Sequence, residues 1–219
     1  MEEKLKNFVY QLQLVNQEQF FDQLIKKIDI HFDGIVAHNI GDLANKREKG
    51  QFFEFICVAL IKNGAFDRYF HKVKECWLFK DIPIDIKKFL CFSNKDMGID
   101  IIVKNIDDEW FPIQCKYKKK SIHNKPIRNK VDWKTLSTFY SLCDRTGPPK
   151  GWHKLVVITN CESINRQGRK SYKDLSVCIG SFRAIPKDIW FKSIGNNGYT
   201  NKIDNNEIRM KRLAYYNKL

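Results

Sequence analysis

The sequence has no Cys-x-x-Cys pair, although it contains seven cysteines. Their odd number and irregular spacing argue against a disulfide framework and against a zinc finger. We expect buried free thiols in a reducing compartment, the cytoplasm or the nucleus. The sequence also has no His-Glu-x-x-His motif and no P-loop signature, so the common zinc-protease and nucleotide-triphosphatase motifs are excluded.

Long apolar segments are absent as well. The most apolar stretch, residues 51–62, carries the charged Glu54 and is too short to span a membrane. The start of the chain, Met1-Glu-Glu-Lys, has neither the basic start nor the apolar core of a secretory signal. We therefore expect an intracellular protein without a membrane partner.

Acidic residues are few: 25, against 39 lysines and arginines, which gives a net charge of +14. Basic residues concentrate in 116–134, where Asp132 is the one acid, and recur near 166–170. Such a run alone is typical of a solvated face or of attraction to an anionic membrane, whereas beside a catalytic site it favours nucleic acid. The candidate contacts are Lys118, Lys119, Lys120, Arg128, Arg166, Arg169 and Lys170.

Two strands are indicated by apolar and polar residues that alternate in 99–104 and again in 110–117. The polar stretch between them is typical of a five-residue turn, so we predict an antiparallel hairpin. Its register pairs Lys104 with Trp110. Because side chains alternate between faces, this register brings three polar residues to one face of the hairpin: Asp100, Gln114 and Lys116.

These residue types suit metal-dependent cleavage of a phosphodiester. Mg²⁺ prefers oxygen ligands, and Asp100 offers a carboxylate, Gln114 an amide oxygen and the Cys115 backbone a carbonyl. Lys116 would orient a water or stabilise the negative charge of the transition state. The hairpin alone also fits a simpler hypothesis, an amphipathic hairpin whose polar side chains are merely solvated.

Glu54 strengthens the catalytic hypothesis. Residues 51–62 predict a buried helix, in which Glu54 shares a face with Val58 and Ile61. A carboxylate in apolar surroundings is costly unless it is paired or binds a cation. Two explanations of Glu54 are open: it forms a salt bridge with a lysine or arginine elsewhere in the chain, or it belongs to the metal site. Gly98 lies two residues before Asp100, where it would let the backbone approach a ligand closely.

Three segments together resemble the PD-(D/E)XK nucleases, specifically the Mrr-like catalytic domains of type IV restriction endonucleases: Gly50-x-x-x-Glu54, Asp96-Met-Gly-Ile-Asp100 and Ile113-Gln-Cys-Lys116. The resemblance covers roughly residues 46–190. It departs from the family pattern at Ile99, where the family name implies proline, and at Gln114, which replaces an acid and removes a metal-binding charge.

The resemblance implies an α/β fold with a restriction-endonuclease-like core, in which helices flank a mixed central sheet. It also implies DNA as substrate and Mg²⁺ as cofactor, with Mn²⁺ as a substitute. Asp100 and Gln114 would hold the metal, Lys116 would be the catalytic lysine and Glu54 would assist from the helix.

Three regions are predicted along the chain: an N-terminal helical extension (1–45) with two helices in 1–30, a nuclease-like core (46–192), and a Gly/Asn-rich linker with a basic tail (193–219). For the core we predict a helix at 46–63, a first strand within 66–92, the hairpin, a helix at 131–143, a strand at 154–160, a short helix near 168–174 and a strand at 175–179.

The function predicted from these observations is a metal-dependent DNA endonuclease. The alternatives left open are a non-catalytic nucleic-acid-binding module, a branched-DNA resolvase and a helicase-associated nuclease. A homodimer and a helicase or other DNA-processing partner are also left open.

Overall fold

The computed structural model of the protein describes residues 2–36, 42–93, 98–118, 130–166 and 171–195. The helices are α1 (Glu2–Gln11), α2 (Gln17–Val36), α3 (Asp42–Lys62), α4 (Asp67–Phe70), α5 (Ile84–Phe89), α6 (Ser137–Cys143), α7 (Ile179–Arg183) and α8 (Lys187–Trp190). The strands are β1 (Val73–Leu78), β2 (Ile101–Asn105), β3 (Trp110–Lys116), β4 (Lys130–Asp132), β5 (Leu155–Thr159), β6 (Ser163–Asn165) and β7 (Asp174–Val177). Short 3₁₀ turns lie at Phe79–Asp81 and Trp133–Thr135, and a π-helical turn at Phe191–Gly195.

A five-stranded mixed sheet in the order β1-β2-β3-β5-β7 forms the centre of the fold. The strands β1, β2 and β3 are antiparallel neighbours, while β3, β5 and β7 run parallel. A separate parallel pair joins β4 to β6. The predicted α/β fold with a mixed central sheet is confirmed.

The predicted hairpin has the predicted register. Lys104 lies opposite Trp110 and Ile102 opposite Pro112. This register follows from the sequence because the length of the turn between the two strands sets which residues lie opposite each other.

Apolar side chains cover both faces of the sheet. On one face, Ile101, Phe111 and Ile158 pack in a cluster with helices α1, α2, α3, α7 and α8. On the other face, Ile102 and Val157 pack against α6 and the segments around Phe79 and Trp152. The alternation along β2 and β5 therefore has apolar partners on both sides, as expected for buried strands.

The N-terminal helices belong to the first of these clusters. In α1, Leu5 and Val9 are buried with helical spacing, and α2 buries Phe20 and Phe21 against α7 and α8. The Arg183 guanidinium also donates to both oxygens of Asp22, at 2.8 and 3.0 Å. The division of the chain at residues 45 and 192 stays a prediction. Within the described ranges, no helix is long and apolar enough to cross a membrane.

Two predicted helices are partly wrong. Residues 130–132 form β4, and a helix begins only at Ser137, because β4 pairs with the distant β6. Residues 171–173 precede β7 without forming a helix, while 167–170 lie outside the described residues. The predicted helix at 46–63 and strand at 154–160 are confirmed as α3 and β5, and α2 continues to Val36 beyond its predicted end.

Candidate functional site

Asp100 lies immediately before β2, at the sheet end where β3 finishes. Its backbone is fixed on both sides, because its N–H donates to the Ile113 carbonyl at 2.9 Å and its carbonyl accepts from the Phe79 N–H at 2.8 Å. Its Oδ2 accepts hydrogen bonds from the Gln114 side-chain amide at 2.5 Å and from the Cys115 N–H at 2.6 Å. These two neighbours on β3 therefore orient the carboxylate.

Gln114 is only 4% exposed, so its amide depends on partners within the protein. As placed, the amide nitrogen faces Asp100, while Oε1 lies beside Gly98, 3.5 Å from the position that a Cβ on this glycine would take. Gly98 has φ +113°, a conformation that L side chains rarely adopt. The backbone conformation at this position, rather than a lack of space beside Gln114, therefore favours glycine.

An open cavity of about 320 Å³ joins this sheet end to helix α3. Asp100 and three consecutive β3 residues, Gln114 to Lys116, line one side, followed by Tyr117. The other side is a face of α3 that we call the α3 pocket face, formed by Arg47, Gly50, Gln51 and Glu54. The structure therefore brings together all four predicted catalytic residues, which are Glu54, Asp100, Gln114 and Lys116.

The Cys115 thiol is buried in the core cluster, where the charges of both carboxylates act on it. Burial, then the hydrogen bond with Cys57, and then the charges of Asp100 and Glu54 raise the pKa of this thiol well above its usual range. A thiol with a raised pKa stays neutral and is a poor nucleophile. Cys115 is therefore unsuited to act as a thiolate, and its predicted contribution is through the backbone carbonyl.

Buried polar side chains at the end of β5 and directly after it hold the end of β3 in place. Thr159 donates to the Lys116 carbonyl at 2.7 Å. The Asn160 side chain accepts from the Lys118 N–H at 2.8 Å and donates to the Lys118 carbonyl at 2.7 Å. Because both Thr159 and Asn160 are almost fully buried, these bonds fix the backbone from the Lys116 carbonyl to Lys118 in a protected setting.

A second charged cluster borders the cavity on the side of α2. Lys49 lies 3.3 Å from Asp29 and 2.8 Å from Asp33, and the Tyr117 hydroxyl donates to Asp29 at 2.8 Å. We call these four residues the Lys49 network. Burial and then the neighbouring Asp29 raise the pKa of Tyr117 far above its usual range. The network connects α2, the beginning of α3 and the residue that follows Lys116.

The described part of the predicted DNA-contacting set lies beyond the cavity. The Lys118 ammonium donates to the Lys130 carbonyl at 2.5 Å. The Arg166 guanidinium donates to Tyr140 and Ser176 and lies 3.6 Å from Asp174. Both side chains thus have protein partners, and their DNA contacts stay predictions. The other candidates, Lys119, Lys120, Arg128, Arg169 and Lys170, lie outside the described residues.

The donor set of the cavity suits a hard cation. Within the described residues no group of three histidine, cysteine, aspartate or glutamate side chains could hold a metal ion. The cavity instead offers the carboxylates of Asp100 and Glu54. Mg²⁺ is usually held by one or two carboxylates and keeps several waters, so this donor set fits it.

Sequence reasoning missed Arg47, Gln51 and Tyr117 at the cavity. The first two precede Glu54 by seven and three residues, a spacing that places them on its side of a helix. The helical periodicity around Glu54 was therefore a usable signal. Tyr117 carried no comparable signal, because its partner Asp29 is distant in the chain.

The family model Mrr_cat_2, described as a restriction endonuclease, matches residues 67–183, more than half of the chain. No curated protein matches. A solved structure of a DNA-bound enzyme, the ATP-dependent Type ISP restriction-modification enzyme LlaBIII, aligns with 81% of this chain at 14% identity and a TM-score of 0.44. The chain covers 11% of that enzyme's length. The extent of the family match establishes that the chain belongs to the Mrr_cat_2 family of restriction endonucleases.

Proposed function

We propose that the protein is a Mg²⁺-dependent endonuclease that hydrolyses DNA phosphodiester bonds in the cavity between α3 and the end of β3. Membership of a restriction endonuclease family implies a DNA nuclease. The observation that carries the finer proposal is the meeting of Asp100, Glu54 and Lys116 around one open cavity, although they come from three separate elements.

Each of these residues has a task that its position supports. Asp100 is held by the Cys115 N–H and by Gln114, so its carboxylate is oriented before any ligand arrives. Glu54 adds a second carboxylate from α3. Lys116 provides a compact positive charge, suited to orienting a water or to balancing charge that develops on the phosphoryl oxygens. Gln114 secures Asp100 as placed, and its assigned role as a metal ligand requires its Oε1 to face the cavity instead.

Asp100 and Glu54 would hold the metal, with Gln114 and the Cys115 carbonyl as the further candidate ligands. When bound, Mg²⁺ supplies Lewis-acid polarisation of the phosphodiester and lowers the pKa of a water. The protein then contributes a fixed carboxylate pair and a neighbouring lysine. Mn²⁺ has the same preference for oxygen donors and would be expected to substitute.

The test is cleavage of plasmid DNA by the purified chain with Mg²⁺, with Mn²⁺ and with EDTA. Asp100→Ala should lower the cleavage rate by more than about 1000-fold, because it removes the oriented carboxylate on which charge stabilisation depends. Asp144→Ala, at an exposed aspartate after α6, is the matched control and should cleave like the parent.

DNA binding without Mg²⁺-dependent cleavage would reject the nuclease and favour a non-catalytic nucleic-acid-binding module. Four-way junctions and single strands in the same assay distinguish a branched-DNA resolvase or a helicase-associated nuclease from an enzyme that acts on ordinary duplex. A homodimer and a helicase partner stay predictions.

A further inference from the structure

The α3 pocket face contains more than the proposed reaction uses. Glu54 has a task in that reaction, but Arg47, Gly50 and Gln51 line the same cavity without one. The volume of about 320 Å³ has room for on the order of ten waters, which exceeds the space that a cation alone requires. This part of the cavity is therefore available to a larger ligand.

Gly50 lies in the interior of α3, where glycine is destabilising relative to alanine. Its φ is not positive, so the backbone conformation does not require glycine. A Cβ built on it meets no heavy atom within 4 Å, so close packing does not require glycine either. The remaining consequence of glycine at this position is open volume, because Gly50 lines the cavity and carries no side chain to fill it.

Arg47 lies one turn before Gly50 and is exposed at the cavity. Within the part of the chain that the structure describes, its guanidinium forms no ion pair. Arginine presents a planar set of N–H donors that matches the oxygens of a phosphate. Gln51 follows Gly50 and adds a neutral amide donor on the same face. The face therefore combines a cation, a neutral donor and open space.

We propose that Arg47, Gly50 and Gln51 form a binding subsite for a backbone phosphate of DNA adjacent to the phosphodiester that is cleaved. This inference rests on the proposed function, because it takes DNA to be the ligand of the cavity. Arg47 and Gln51 contact the phosphate oxygens, and Gly50 leaves the volume that the phosphate and its sugar occupy. Arg47 acts in holding the substrate, whereas Lys116 acts in the reaction.

The test measures equilibrium binding of a short labelled duplex to the full chain in EDTA over a range of salt concentrations. Arg47→Gln should weaken binding by about tenfold and lower the slope of log K against log salt by about one, because one charged phosphate contact is lost. Lys62→Gln removes the same charge from the same helix about 22 Å farther along its axis and should leave the slope unchanged.

A second pair of variants tests whether DNA binding requires the open volume beside Gly50. Gly50→Leu should weaken binding by roughly tenfold or more, since a side chain in the phosphate's volume pushes the DNA out of reach of Arg47. Gly180→Leu is its control, because Gly180 is also helical and a Cβ there also meets nothing within 4 Å, but it lies outside the cavity. Both variants should keep a thermal midpoint close to that of the parent.

Equal binding and equal slopes for Arg47→Gln and Lys62→Gln would overturn the subsite, and so would equal binding by Gly50→Leu and Gly180→Leu. A parent chain that does not bind duplex in EDTA would overturn the subsite, while plasmid cleavage with Mg²⁺ decides the nuclease separately. If both pairs differ as expected but plasmid is not cleaved with Mg²⁺, the nuclease fails and the subsite stands. If plasmid is cleaved and the pairs do not differ, only the subsite fails.

Discussion

Helix α3 carries charged residues on two faces, and the two faces use their charges in different ways. In the Lys49 network, the Lys49 side chain is 9% exposed and lies within ion-pair distance of Asp29 and Asp33. On the α3 pocket face, Arg47 and Glu54 instead border an open cavity together with Asp100 and Lys116. On the first face, acidic and basic side chains form ion pairs with one another. On the second face, the charged side chains border the open cavity.

The two faces differ in which groups stabilise each charge. A buried lysine is stable only with partners, and Asp29 and Asp33 provide them. At the cavity, the Asp100 carboxylate instead accepts hydrogen bonds from Gln114 and the Cys115 N–H, beside open space. We therefore expect substitutions in the Lys49 network to change stability, and substitutions around the cavity to change activity.

Of the three substitutions that compare the Lys49 network with the cavity, Lys116→Ala should have the largest effect. Loss of the ammonium should lower the cleavage rate by about 1000-fold, as expected when one group that stabilises the transition state is removed. DNA binding should stay nearly intact, and so should the free energy of unfolding. Single-turnover cleavage, duplex binding and chemical denaturation measure the three quantities. Lys80→Ala, at an exposed lysine after β1, is the control. Equal losses of binding and cleavage in Lys116→Ala would contradict the assigned role.

Lys49→Met should have the opposite effect, lowering stability rather than the cleavage rate. It keeps the length of the side chain but removes the charge, so the buried Asp29 carboxylate loses its cation and the free energy of unfolding should fall by about 3 kcal/mol. Urea denaturation measures this loss. Lys26→Met, at an exposed lysine of α2, should change stability by less than about 0.5 kcal/mol. Similar stabilities for the two variants would show that the network contributes nothing.

Tyr117→Phe should have the smallest effect, because it removes only the hydroxyl that donates to Asp29. The expected loss is about 1 kcal/mol near neutral pH. The folded-state pKa of Tyr117 is raised above the unfolded value of about 10, so the stability that it contributes is fully present below about pH 10. This contribution is lost as the pH rises from there through the folded-state pKa.

The difference between the parent and Tyr117→Phe should therefore shrink in alkaline solution. Denaturation curves of both proteins on either side of pH 10 provide the measurement. A difference that stays constant or widens above about pH 10 would contradict a tyrosine that is kept protonated by burial and by Asp29.

The hairpin and the acid-lysine site were predictable because their signals are local. Successive side chains of β2 and β3 point to opposite faces, and a five-residue turn fixes the register, so Asp100 and Gln114 meet on one face. The strand β4 was missed for the opposite reason. Its three residues pair with Ser163–Asn165, and no local pattern reveals a partner so far along the chain.

The sequence by itself determined the hairpin strands, the apolar helix and the residue types that metal-assisted phosphodiester cleavage requires, because periodicity and composition act over a few residues. Only the tertiary structure decided which charges neutralise one another. Lys49 and Lys116 are both lysines next to short polar stretches, yet α2 supplies two carboxylates to the first, while the second faces open space. That distinction depends on how helices pack across the sheet, and such long-range packing leaves no periodic trace in the chain.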